Sequence, residues 1–396
     1  MSVTKNTLMP TYARKEITFV SGNGVWLTSD KQEKYLDALA GIAVCGLGHA
    51  HPEVAKAIAD QASTLTHTSN IYRIELQEEL GQKLCQLSGM DAVFFGNSGA
   101  EANEAAIKLA RLHGHHKNIS EPAIIVMEHS FHGRTMATLT ATGNRKAHAG
   151  FEPLVPGFVR APYNDVESVE NILQNNTNIS AILVEPIQGE GGIRIPESNY
   201  LSKLKLLCEK HEILLMLDEV QTGNGRTGKW FCFQHTNIHP DVLVTAKGLG
   251  NGVPIGACLT KGHAASLFAP GSHGSTFGGN PLACRASLAT LHAIEKNKLL
   301  LNATNIGNYI VKELQEKLST NKLVKEVRGK GLMIGIEMSI PCTELVDSCL
   351  NKKLLINVTA EKIIRLLPPL IFNKSNADSM IELLTQSINE LSTTHV

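Results

Sequence analysis

Five short apolar runs dominate the middle of the chain: AVFF (92–95), AIIVM (123–127), AILVEPI (181–187), ILLMLDEV (213–220) and DVLVTAKG (241–248). They are apolar on both faces, as parallel strands covered by helices must be. Helical segments intervene, for example over residues 100–112 and 199–211, and this alternation predicts a doubly wound α/β fold around a mostly parallel sheet. Upstream, residues 52–65 begin with Pro52 and carry Val54, Ala55, Ile58 and Ala62 at helical spacing. Residues 17–27 (ITFVSGNGVWL) read as two short strands about a Gly-Asn-Gly turn. Past residue 286 the texture changes. Helices are expected at 282–297 and 303–319, a strand pair in VKEVRGKGLMIGIEM (324–338) and a closing helix near 377–392. The expected organisation is an N-terminal segment (1–50) joined to a smaller α+β domain (286–396), with a large domain (51–285) between them.

Composition narrows the function. The 396 residues carry 37 Lys plus Arg against 37 Asp plus Glu. A chain with no net charge offers no broad field to nucleic acid or to an anionic membrane, which points to small-molecule work. No apolar run approaches the about 20 residues of a membrane span, and residues 1–15 lack a signal core. A cytoplasmic protein is expected. The eight cysteines include no CxxC pair and sit mostly in apolar runs, so reduced buried thiols are expected, with neither disulfides nor metal.

The strand ends carry the candidate chemistry, because ligands of open parallel sheets lie beyond the carboxyl ends of the strands. AVFF runs into Gly96-Asn97-Ser98-Gly99-Ala100-Glu101, AILVEPI contains Glu185, ILLML ends on Asp218, and DVLVTA ends on Lys247. One such group reads as a cap or a surface residue. Together they read as a site, since charges beside apolar runs cost several kcal/mol when buried unpaired. Ser98, Gly99 and Ala100 open a helix whose first amides suit a phosphate, although Ser-Gly before a helix is also an ordinary N-cap. Asp218 and Lys247 suit a pyridine cofactor, which needs a carboxylate at its ring nitrogen and an amine able to form an imine. An exposed strand-end lysine competes with that reading on spacing alone.

Two features read as decoys. Gly223-x-Gly225-x-x-Gly228 matches a dinucleotide fingerprint, but Lys229-Trp230-Phe231-Cys232-Phe233 does not open an amphipathic helix. His113, His115 and His116 read as a solvated helix end rather than a metal site.

The motifs NSGAEANE (97–104), FHGRT (131–135), EPIQGEGG (185–192), LDEVQTGNGRTG (217–228), AKGLGNGVPIGA (246–257) and GSTFGGNP (274–281) occur in this order. On these, over nearly its whole length, the chain resembles the class III aminotransferases of fold type I, most closely the acetylornithine aminotransferases. The resemblance implies pyridoxal 5'-phosphate carried on Lys247 as a Schiff base. It implies Asp218 at the pyridine nitrogen, Gln221 at the ring hydroxyl, Phe131 on the ring face, and Ser98, Gly99 and Ala100 at the phosphate. Thr276 would reach the cofactor phosphate of a partner subunit, with Ser275 near the substrate, in a homodimer with shared sites. Arg134 would bind the substrate carboxylate, and Glu185 with Arg365 would form a switchable pair. The implied substrates are N2-acetylornithine, 2-oxoglutarate and glutamate. Relatives acting on ornithine, succinylornithine, succinyl-diaminopimelate or 4-aminobutyrate remain alternatives, and a catalytically silent homologue is the rival from another class. Asn251, Val253 and Arg73 depart from the commonest pattern and bear on the acyl group accepted.

Overall fold

A computed structural model describes residues 7–394. The central sheet has seven strands in the order Ala92–Gly96, Gly256–Thr260, Val242–Thr245, Leu214–Asp218, Ile179–Val184, Ala123–Met127, Phe158–Ala161. All pairings are parallel except those of Gly256–Thr260, which runs antiparallel to both of its neighbours. The five apolar runs are all strands of this sheet. The antiparallel strand (GACLT) and the edge strand (FVRA) have no such run to announce them. Ile179–Val184, Leu214–Asp218 and Val242–Thr245 are buried along their whole length, which is why their sequences lack alternation.

Helices cover both faces. Gly99–His116 packs Ala102, Ala105, Ala106, Leu109 and Ala110 against one face, beside Ile124, Val126 and Val244. Tyr200–His211 and Glu75–Ser88 lie with the other core, which holds Ile125, Ile182, Leu215 and Leu243. The alanines of Gly99–His116 let the helix sit close to the sheet, and this fixes where its N-terminus points.

The N-terminal strands Phe19–Asn23, Trp26–Ser29 and Lys34–Asp37 do join the C-terminal part of the chain. Lys34–Asp37 pairs in parallel with Leu354–Leu355. A further sheet contains Val324–Lys330, Met333–Met338, Ile363–Leu366 and Asn357–Thr359 in that order. The strand pair read from 324–338 is thus the beginning of a four-stranded sheet, backed by helices Leu299–Leu318 and Lys374–Thr394. Arg365 comes from this sheet.

The glycine fingerprint has a packing explanation. After Leu214–Asp218 the chain runs through turns to a short 3-10 segment, Cys232–His235, and no helix crosses back to a parallel strand. A Cβ at Gly228 would overlap Thr304 Oγ1, and one at Gly225 would stand 3.0 Å from Leu370 Cδ1. These glycines let the loop approach the C-terminal elements. Between them, buried Arg226 donates to the carbonyls of Leu332 (3.0 Å) and Pro368 (2.5 Å), and burial pushes its guanidinium down to about 10. The loop beyond Asp218 is thereby tied to the sheet that carries Arg365.

The histidine cluster needs one correction. His115 and His116 are exposed, but His113 is buried and its Nε2 lies 2.9 Å from the Glu212 carbonyl. The last turn of the helix is docked on a neighbouring element rather than solvated. Among the described residues no cluster of three His, Cys, Asp or Glu suited to a metal occurs, no cysteine is in a disulfide, and no helix is long and apolar enough to cross a membrane.

Candidate active site

The sheet order sets Val242–Thr245, Leu214–Asp218 and Ile179–Val184 side by side, so their carboxyl ends deliver Lys247, Asp218 and Glu185 to one place. Asp218 pairs in register with Val244, three residues before Lys247. A cavity of about 370 Å³ opens there. It is lined by Lys247, Asp218, Gln221, Glu185, Phe131 and Arg134, by Ser98, Gly99 and Ala100 at the start of the covering helix, and by Val44, Val220 and Glu190.

Asp218 is almost fully buried and held from three directions. Its Oδ2 accepts from Asn103 Nδ2 at 2.7 Å and lies 2.7 Å from His132 Nδ1, while Oδ1 accepts from the Val220 amide at 3.0 Å. His132 Nε2 and Asn103 Oδ1 have no hydrogen-bond partner. Asn103 is one turn along the helix from Gly99, and His132 is next to Phe131, so two separate motifs converge on one carboxylate.

Lys247 adopts φ 44°, a left-handed conformation costly for a residue with a Cβ. Burial holds its amine below the ordinary lysine range, against the opposing charge of Glu190. A lowered pKa is what an imine-forming lysine needs, because only the neutral amine is nucleophilic. Ser98 caps the helix by accepting from the Glu101 amide at 3.2 Å. The first amides, at Gly99 and Ala100, face the cavity at the positive end of an 18-residue helix. A Cβ at Gly99 would meet Val220 at 2.8 Å, so only glycine allows this close approach.

A strained turn precedes Val44, which lines the cavity. Ala40, Gly41, Ile42 and Ala43 all have positive φ (52°, 63°, 65° and 63°), forming one left-handed turn that leads into Val44. The non-glycine residues cost roughly 1–2 kcal/mol each in this conformation. Asp37 Oδ1 accepts from the amides of Leu39 (2.9 Å) and Ala40 (2.8 Å), anchoring the turn at its start. Asn251, one of the unusual residues of the lysine loop, anchors the far end by accepting from the Leu47 amide at 2.8 Å. Val253 lines the cavity, and Arg73 is exposed and paired with Glu78 at 2.7 Å.

Asp37 also pairs with His49 at 2.7 Å, and this hydrogen bond pushes His49 up to about 9 from 6.5. The stabilisation is therefore fully present below about pH 6.5 and is lost as pH rises through about 9. His49→Gln should lower stability by about 1–2 kcal/mol near pH 6 after allowance for solvent screening. Thermal melts against pH check this, and the gap between variant and parent should close above pH 9. A gap that is constant with pH would exclude the titration.

The expected Glu185–Arg365 pair is not formed. Glu185 accepts from the amides of Phe131 (2.8 Å) and Gly189 (3.2 Å), and burial pushes it up to about 7. Arg365 pairs instead with Glu190, Nη1 to Oε1 at 2.6 Å, and its Nε donates to Asn357 at 3.1 Å. The reason is the loop after Ile179–Val184. Its backbone bonds between Gln188 and Arg194 (3.1 Å each way) fold it back on itself and aim Glu190 at Arg365. Arg365 is fully buried, and its Nη2 is a buried donor with no partner.

The remaining candidates divide between the cavity and its surroundings. Arg134 is exposed at the cavity rim, with its guanidinium 5.5 Å from the centre of the Phe131 ring. Ser275 touches the site through Asn97, 3.3 Å away, whereas Thr276 is exposed and lines no part of this cavity. Glu190, Asn103, His132 and Val44 escape sequence reasoning. The first three lie inside the quoted motifs, but their roles depend on side-chain partners far away in the chain.

The donor set fits pyridoxal phosphate. One cavity holds helix-start amides for a phosphate, a fixed carboxylate for a ring nitrogen and a lysine of lowered basicity between them. Comparison with known proteins agrees. Residues 10–388 match the family described as Aminotransferase class-III. The chain is 59% identical to the acetylornithine aminotransferase of Nitrosomonas europaea, over 94% of this chain and 95% of that one. It is 48% identical to the acetylornithine aminotransferase of Aquifex aeolicus, over 96% and 99% respectively. Among solved structures, the ornithine aminotransferase of Toxoplasma gondii superposes with a TM-score of 0.95 at 31% identity, covering 98% of this chain and 94% of that one. The acetylornithine aminotransferase of Elizabethkingia anophelis superposes with a TM-score of 0.86 at 35% identity, covering 96% of each. With the lysine, aspartate and helix-start cavity in place, the chain belongs to the class-III aminotransferases, pyridoxal-phosphate-dependent transferases of the α/β type.

Proposed function

We propose that the chain is an N2-acetylornithine:2-oxoglutarate 5-aminotransferase of arginine biosynthesis, acting in ping-pong fashion on a distal amine. The observation that carries this reading is a buried Arg365 masked by Glu190 beside Lys247, with a second, unmasked Arg134 at the rim. Such a site meets two carboxylates with two arginines, yet can hide one of them. Acetylornithine presents one carboxylate, for Arg134, and sends its distal amine inward. Its inner end carries no anion, so Arg365 must stay neutralised by Glu190. 2-Oxoglutarate presents a second carboxylate, which takes Arg365 when Glu190 moves aside, and the partnerless Nη2 supplies a donor for it. Relatives named acetylornithine aminotransferases at 45–59% identity support the same substrate.

Pyridoxal phosphate, when bound, supplies the carbon that receives the amino group and a pyridinium that withdraws electrons from it. Ser98, Gly99 and Ala100 would hold its phosphate, Asp218 its ring nitrogen, Gln221 its ring hydroxyl and Phe131 its face. The Lys247 amine would carry the proton from the substrate carbon to the cofactor carbon, its burial-lowered basicity making it a readier proton carrier than an exposed lysine. Asn103 and His132 fix the orientation of the Asp218 carboxylate.

A homodimer with shared sites and a cytoplasmic location belong to the same proposal. Ile71 (85% exposed), Tyr72 (69%) and Phe277 (60%) form an apolar patch, knitted together where Asn70 donates to the carbonyls of Ser275 and Gly278 at 3.0 Å. Thr276 lies beside these residues, and in the proposed dimer it would serve a neighbour's phosphate.

The deciding experiment mixes the lysine-linked cofactor form with each amine and tracks loss of its visible absorbance. Acetylornithine should react fastest, ahead of succinylornithine, ornithine, succinyl-diaminopimelate and 4-aminobutyrate. A clear preference for ornithine or 4-aminobutyrate would overturn the substrate assignment. Arg134→Ala should raise KM for acetylornithine and 2-oxoglutarate by about 10–100-fold, as loss of a charge-assisted carboxylate contact does, and leave the cofactor absorbance intact. An unchanged KM for acetylornithine would remove Arg134 from that role.

A further inference from the structure

A second cavity, of about 730 Å³, adjoins the catalytic one and shares Phe131, Arg134 and Glu190 with it. Its outer wall carries Arg145, Lys146 and Arg160, with Glu128 and Glu361. Three of its charges are already matched: Lys146 pairs with Glu361 at 2.9 Å, and Glu190 with Arg365 at 2.6 Å. Among the described residues, Arg134, Arg145 and Arg160 have no carboxylate partner. Arg160 is braced, donating to the carbonyls of Thr142 (3.2 Å) and Thr140. Burial and the nearby charge of Arg145 together push Arg160 below the ordinary arginine range, against the opposing pull of Glu128. Two guanidiniums without a paired carboxylate thus line one cavity, and an anion held there would be attracted to both.

We propose that Arg145 and Arg160 form a second carboxylate-binding site, which captures dianionic substrates on the approach to Arg134. This rests on the proposed substrates, in that the acceptor is a dicarboxylate. The capture site discriminates by charge. 2-Oxoglutarate carries two negative charges, whereas acetylornithine, with one carboxylate and one ammonium, carries none overall. A field from unmatched arginines therefore speeds the acceptor half-reaction and leaves the donor half-reaction nearly unaffected. It also keeps the outer carboxylate solvated and paired until Arg134 takes it.

The test is Arg145→Gln, with the two half-reactions of the cofactor-loaded enzyme measured separately at low and high salt. At low salt, kcat/KM for 2-oxoglutarate should fall about five- to tenfold through KM, and the deficit should shrink to under about twofold at about 0.3 M salt. The acetylornithine half-reaction should change by less than about twofold. Arg145→Lys should keep the parental salt dependence. Lys312→Gln, on the remote helix Leu299–Leu318, makes the same change in net charge and should have no such effect. Arg160→Lys, which keeps the charge and a donor to Thr140 and Thr142, should likewise keep the parental salt dependence. Glutarate, a dicarboxylate that cannot react, is the second probe. Its Kd, read from the cofactor absorbance, should rise about fivefold in Arg145→Gln whichever amine the enzyme uses, so a wrong donor assignment and a wrong capture site are told apart. An unchanged salt dependence and glutarate Kd in Arg145→Gln, or equal losses in both half-reactions, would overturn the proposal.

Discussion

Lys247→Ala should reduce transamination by at least about 10⁴-fold, because it removes the imine-forming amine and the proton carrier together. The variant should also lack the visible band of a lysine-linked cofactor. It should still bind pyridoxal phosphate, since Asp218 and the amides of Gly99 and Ala100 do not depend on the lysine. Absorbance spectra of the reconstituted variant, with turnover of acetylornithine against 2-oxoglutarate, measure both. The two readouts separate chemistry from folding: a variant that binds cofactor is folded. Retention of more than about 1% of activity would remove Lys247 from its central role. The strained φ of 44° strengthens the expectation, because such backbone persists where the surroundings hold it in place.

The second large effect should come from the Arg365–Glu190 pair. Arg365→Ala removes the fully buried cation of a charge pair whose carboxylate, Glu190, is 36% exposed, so water takes up part of the loss on the glutamate side. Its burden should fall on the acceptor side: KM for 2-oxoglutarate up by at least about 100-fold, with the acetylornithine half-reaction far less affected. Glu190→Gln should do the reverse. With Arg365 no longer masked, a donor that brings no inner carboxylate meets an uncompensated cation, and its half-reaction should slow by about tenfold or more, while glutamate, which supplies that carboxylate, is spared. Paired half-reaction kinetics decide it. If Glu190→Gln and Arg365→Ala impair the same half-reaction equally, the pair is a static bridge.

Much of this architecture is legible in the chain because burial writes itself into residue type. The all-apolar runs at 123–127 and 213–217 read as covered strands, and the polar residues that follow them mark the ligand edge of the sheet. Lys247, Asp218 and the Ser98–Ala100 helix start are all visible that way, since each sits at or just past a strand end. The strands Gly256–Thr260 and Phe158–Ala161 are not, as GACLT and FVRA are too short and mixed to carry a period. The N-terminal strands can be assigned away from the central sheet, but their partner, Leu354–Leu355, is two residues long and more than 300 positions away.

The Glu185–Arg365 expectation fails for a similar reason. Both glutamates of EPIQGEGG are carboxylates five residues apart in a loop, and nothing in their order distinguishes them. Tertiary structure distinguishes them: Glu185 is consumed by the amides of Phe131 and Gly189, and the folded-back loop presents Glu190 to Arg365. His132 and Asn103 become supports of Asp218 only when a helix and a loop meet over the same strand end. The sequence by itself therefore determined the five apolar parallel strands and singled out the lysine and the aspartate, because these stem from local burial and from chemistry placed at strand ends. Which carboxylate faces Arg365, what orients Asp218, and that unmatched arginines share a cavity beyond Arg134 were decided only in three dimensions, where residues distant in the chain compete for the same few hydrogen bonds.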